Sequence, residues 1–129
     1  MMRMISTCGL VGVALLACAP PSTTRTARDP NVISREEIVA SGAGNAYDAV
    51  SRLRPSFLQF HGQVTMTGSD AGYPKVYLDH MLFGDLTALK TLDVNGIREI
   101  HYYNGAEASS RFGLDNVSGA IEVISDVGN

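Results

Sequence analysis

The run Ile97-Arg98-Glu99-Ile100-His101-Tyr102-Tyr103, followed by Asn104-Gly105, and its companion Gly119-Ala120-Ile121-Glu122-Val123-Ile124-Ser125 decide the fold. Both are rich in β-branched or aromatic residues and both have strand length. In the first, His101 alternates with Ile100 and Tyr102 and so belongs on the opposite face. The second is apolar apart from Glu122, as expected of a central strand. Val94-Asn95-Gly96 supplies a turn into the first strand. Gly105 and Gly113 fall where the backbone must turn hard. Ala106 to Arg111 reads as a short helical turn, with a loop through Asn116 before the second strand.

Upstream, Lys75-Val76-Tyr77-Leu78-Asp79 is a third strand, with Pro74 acceptable at its entrance. His80-Met81 reads as a tight turn and Leu82-Phe83 as a short return strand. Asp85 can cap a short helix through Lys90 that buries Leu86 and Leu89. Ser56 to Phe60 and Gln63 to Thr67 are candidate strands on either side of His61-Gly62, and Gly68 to Gly72 is a loop. Ser34-Arg35-Glu36-Glu37 is a capping box opening a helix from Arg35 to Ala40. Ser41-Gly42-Ala43-Gly44 ends it. Asn45 caps the next helix, whose Ala46, Val50 and Leu53 form one apolar stripe and which Pro55 stops at Arg54. Short helices alternating with strands predict an α+β fold, a small mixed β-sheet with helices packed on it.

The chain has 129 residues and a formal charge of -3, with 45% hydrophobic residues. That length suits one domain. Without clustered Lys and Arg, nucleic acid is not expected as a partner, because phosphate contacts need concentrated positive charge. Cys8 and Cys18 are the two cysteines, so the body of the chain can hold neither a disulfide framework nor a cysteine metal site.

The N-terminus reads as an address. Arg3 is followed by a mostly apolar segment from Ile5 to Leu16, short for a membrane span. Leu15-Leu16-Ala17-Cys18 resembles the bacterial lipobox, in which the cysteine is acylated and becomes the new N-terminus. This predicts residues 1–17 as a lipoprotein signal peptide and Cys18 as the lipidation site. Residues 18–31 are then a flexible tether, rich in Pro, Ser, Thr and Arg, 32–126 the folded domain and 127–129 a tail. Ala19 after the cysteine favours the outer membrane.

The order of motifs resembles the plug domain of TonB-dependent receptors. Ile97-Arg98-Glu99-Ile100 through Gly105-Ala106-Glu107-Ala108 is similar to that family's "I-E-hydrophobic-x-x-G-x-A" signature. Arg111-Phe112-Gly113 and Gly119-Ala120-Ile121-Glu122-Val123 are similar to its ending. Val76-Tyr77-Leu78-Asp79 resembles its hairpin, with His80 where glycine is usual, and Ala46 to Pro55 resembles its helix. The resemblance spans about Val32 to Ser125 and implies a plug-like fold. It does not carry transport over, because the reading expects no barrel after Asn129 and finds no energy-coupling box in the tether.

Catalytic chemistry is not expected. His61, His80 and His101 have no metal-ligand spacing. Ser109-Ser110 lacks the glycines of a nucleophile elbow, and Gly42-Ala43-Gly44 lacks a dinucleotide loop's third glycine at Tyr47. No cofactor or metal is expected. Tyr73, Met81, Tyr103 and Phe112 are the candidate partner-binding residues, with Met66 beside Tyr73 and Met81 in a possible apolar patch. The sequence thus points to a non-catalytic lipoprotein held in the outer membrane by its lipid and facing the periplasm. It would bind an envelope protein such as a receptor barrel or a TonB-type complex. The rival reading is a binding protein for a siderophore-like or cobalamin-like small ligand.

Overall fold

A computed structural model describes residues 28–61 and 72–126. The expected signal segment, Cys18, the tether up to residue 27, the Gln63–Thr67 strand, Met66, the loop residues 68–71 and the tail lie outside the described residues. The expected α+β class holds: five strands form one mixed sheet with short helices around it.

The elements are β1 (Val32–Ser34), α1 (Arg35–Ser41), α2 (Ala46–Leu53), β2 (Lys75–Leu78), β3 (Met81–Gly84), β4 (Ile97–Tyr103), α3 (Gly105–Phe112) and β5 (Ala120–Ser125). The sheet order is β1-β4-β5-β2-β3. β5 is therefore central, antiparallel to β4 and parallel to β2. Its register places Ile121 beside Tyr102 and Val76, and Glu122 beside His101 and Tyr77.

Alternation along these strands creates two packed faces. One face gathers Ile33, Val76, Ile100, Ile121 and Val123, all buried, against Ile38 of α1, Ala46, Ala49 and Val50 of α2, and Leu89. Ile97 and Ile100 share this face although three residues apart, because a register shift between Ile97 and Glu99 absorbs one residue. The other face carries a smaller cluster, Tyr77, Ala108 and Ala120, with Tyr103 and Phe112 partly buried beside it.

The local helix signals act as expected. The Glu37 amide donates to the Ser34 hydroxyl, and the Ser34 amide donates to the Glu37 carboxylate. Asn45 accepts from the Asp48 amide and opens α2. α3 is longer than expected at both ends, because Asn104 caps it by accepting from the Ala106 and Glu107 amides. Gly105 allows the close approach this requires: a Cβ there would lie 2.0 Å from the Val117 carbonyl oxygen.

Several boundaries differ. The Ser56–Phe60 strand is instead a 3-10 turn, Pro55–Leu58. Proline at its first position suits a helical start, and burying Phe57 stacked on Tyr102, with ring centroids 4.8 Å apart, stabilises it. The hairpin turn is Asp79-His80, one residue earlier than expected, and β3 runs from Met81 to Gly84. The segment after Asp85 is a 3-10 helix, Leu86–Thr91, in which Leu89 is buried and Leu86 partly so. The last strand begins at Ala120, because Gly119 has a left-handed φ of 98° and closes a turn onto the Asn116 carbonyl. β1 has no expected counterpart: among the described residues it is a three-residue edge strand centred on the buried Ile33, opposite Ile100.

Candidate functional site

The four candidate contact residues fall into two environments. Tyr73 and Met81 are exposed, at 48% and 75%; Leu82 and Phe83 of β3 join them at 61% and 43%. Among the described residues β3 is the edge strand, and its register sets Met81 with Leu78 toward one face of the sheet and Leu82 with Tyr77 toward the other, so large apolar side chains stand open on both sides of this rim. Natural edge strands usually carry charge or proline to discourage contact, and Met81-Leu82-Phe83 carries neither. The edge is nonetheless short and bulged, with a register shift between Val76 and Tyr77. Tyr73 and Leu82 also line a cleft of about 460 Å³ with Pro74, Lys75, Gly84, Asp85, Leu86 and Thr87. Phe60 meets Tyr73 edge-on at 5.4 Å and extends the apolar surface.

Tyr103 and Phe112 are half-buried on the second face. Phe112 stacks on Tyr77 at 3.9 Å and meets Tyr103 edge-on at 5.7 Å. Tyr77 in turn donates its hydroxyl to the buried Asn116 side chain at 2.9 Å. These aromatics attach α3 and the following loop to the sheet.

Between the two environments lies a polar cluster that sequence reasoning did not single out. Glu122 of the central strand is fully buried. Tyr103 donates its hydroxyl to Glu122 Oε2 at 3.0 Å, and Arg111 Nη2 lies 3.5 Å from the same oxygen. His80 Nδ1 lies 2.5 Å from Oε1, within ion-pair range, and among the described residues Oε1 has no hydrogen-bond donor. A buried carboxylate is costly unless it is paired, and here three elements converge on one. Burial, and then the adjacent Glu122 carboxylate, raise the Tyr103 hydroxyl above the ordinary phenol value, so it stays protonated and donating. Arg111 also lies over the Tyr103 ring, 5.0 Å from its centroid. The signal that could have found this cluster was in the sequence: one acid inside an otherwise apolar, β-branched strand.

The histidines lie apart in role. His61 Nε2 approaches the Ser56 carbonyl at 2.9 Å, and His101 Nε2 lies 2.7 Å from Glu99. Among the described residues, no group of three or more His, Cys, Asp or Glu side chains is placed to hold a metal ion. Among the same residues, no helix is long and apolar enough to cross a membrane. Comparison with protein-family profiles, curated proteins and solved structures finds no match to this chain.

Proposed function

We propose that the chain is a non-catalytic outer-membrane lipoprotein, anchored through Cys18, that displays a plug-like domain to the periplasm and binds an envelope protein there. The observation that carries the reading is the open apolar rim formed by Met81, Leu82 and Phe83 with Tyr73 nearby. Large apolar side chains left in water along one edge mark a contact surface. The rim's lack of charge suits a protein partner better than a nucleic acid or a charged small solute. The motif order read as plug-like lends the envelope setting: its three strand motifs lie side by side as β4, β5 and β2.

The test is photo-crosslinking in intact cells from position 81, with the exposed position 39 of α1, which follows β1 at the other end of the sheet order, as a control. A discrete envelope protein captured from position 81 and absent from position 39 is the expected result. Capture of nothing, or of the same proteins from both positions, overturns the binding reading. C18A releases the chain from the membrane fraction if the anchor is correct, and leaves it there if it is not. The cleft beside Tyr73 favours the small-ligand reading, since its volume is in the range of small-molecule sites. A thermal-shift series with ferric chelates and cobalamin tests it, and a saturable shift abolished by Leu82→Trp would give that reading precedence.

A further inference from the structure

The β2–β3 turn is built from Asp79 and His80, with φ of 47° and 71°, the two non-glycine residues of left-handed backbone among those described. Two-residue hairpin turns need this conformation because it matches the strand twist, and glycine at the second place adopts it with least strain. Asp79 is fixed from outside the turn: the Ser125 amide and hydroxyl donate to its carboxylate at 2.9 and 2.6 Å. The His80 side chain instead crosses back over the sheet to the buried Glu122. Arg111 Nη2, from the last turn of α3, lies 3.5 Å from His80 Nδ1 and closes the group. The residue is 65% exposed at its side chain yet touches one that is fully buried. A strained backbone that persists with a side chain so placed calls for a role in that side chain.

We infer that His80 is a positioning residue: its imidazole, in ion-pair range of Glu122, latches the tip of the β2–β3 hairpin to the central strand and so fixes the pose of the exposed strand Met81–Gly84. Among the described residues β3 pairs with β2 alone and forms the sheet's edge, so contacts from the hairpin tip to other elements bear on its pose. Asp79 to Ser125 provides one point and His80 to Glu122 the other, both on the central strand. What the presented surface is for rests on the proposed binding function; the latch itself does not.

The experiment is hydrogen exchange of the full chain, read on the Met81–Gly84 segment with Ile97–Tyr103 as internal reference. The variants are His80→Gly, His80→Asn, Glu122→Gln and the double variant His80→Gly with Glu122→Gln. Loss of the latch is expected to speed exchange of Met81–Gly84 at least about threefold in each single variant, with Ile97–Tyr103 unchanged. The double variant is expected to be no faster than Glu122→Gln. Relief of turn strain alone predicts the opposite, so unchanged or slower exchange in His80→Gly overturns the inference. Simple addition of the two effects in the double variant also overturns it. Should Glu122→Gln loosen the whole sheet, His80→Asn decides, since asparagine tolerates the left-handed turn without reaching Glu122. None of these readouts involves a partner. Failed crosslinking at position 81 alongside the expected exchange pattern removes the binding reading and leaves the latch standing.

Discussion

Asp79 shows how one side chain can tie a turn to a sheet. Its carboxylate lies well out in solvent, yet it accepts both the hydroxyl and the amide of Ser125, and these bonds, the hydroxyl first, hold it below its ordinary value of 3.8. Thr87 does the same to Asp85 through its hydroxyl and amide. A carboxyl depressed on folding stabilises the folded state above its unfolded value. That contribution is lost as pH falls through the folded value. The hairpin tip is therefore expected to loosen on acidification below about pH 4. Ser125→Ala removes the stronger donor, so acid unfolding followed by circular dichroism should show a smaller loss of stability over the same interval than the parent chain shows. An equal loss in both would mean that the Ser125 bonds contribute nothing to the acid sensitivity. Solvent screens such an exposed group, so the effect is expected to be a small fraction of the total stability.

The helices were the most legible elements, because their ends are set by side chains speaking to neighbouring amides. Ser34, Asn45 and Asn104 are each within three residues of the groups they satisfy, although sequence reading recognised only the first two as caps. Asn104 accepts two amides at once, and Glu107 returns a bond to the Asn104 amide at 3.1 Å. Asn104→Ala is expected to cost about 1–2 kcal/mol, read as a shift in the denaturant midpoint with the slope unchanged. Loss below a few tenths of a kcal/mol would show that α3 is held by Phe112 and Ala108 on the sheet, with its cap contributing little. Elements set by distant partners were harder to see. β1 is a strand only because Ile100 lies opposite Ile33, and the Pro55–Leu58 turn forms where Phe57 finds Tyr102. No local pattern in Val32-Ile33-Ser34 or Ser56-Phe57-Leu58 encodes those meetings. The candidate site divides the same way. Tyr73 and Met81 could be named from their place beside turns, whereas the grouping of His80, Arg111 and Tyr103 around Glu122 requires a turn, a helix and two strands to be brought together.

At the scale of the whole molecule, the centre of the sheet and its β3 rim are two kinds of environment, and stability and contact should separate between them. Ile121 is fully exchanged out of water on the face shared with α1 and α2, next to Tyr102 and Val76 in adjacent strands. Cutting it to alanine leaves a cavity that neighbours on both sides cannot close, at a cost of about 2–5 kcal/mol. Against a total of about 5–15 kcal/mol for a domain of ordinary stability, that is enough to populate unfolded chain at physiological temperature. Met81 lies at the other extreme, three-quarters open to solvent at the edge of the same sheet. Met81→Ser should change stability by no more than about 0.5 kcal/mol, while removing the apolar area on which a partner would settle. Chemical denaturation of both variants checks the first half of this contrast, and crosslinking from a nearby position checks the second. A Met81→Ser chain that unfolds as readily as Ile121→Ala would place Met81 in the core energetics and deprive the exposed rim of its meaning. A chain that keeps its stability and loses its captured partner would separate folding, at the centre of the sheet, from binding, at its rim.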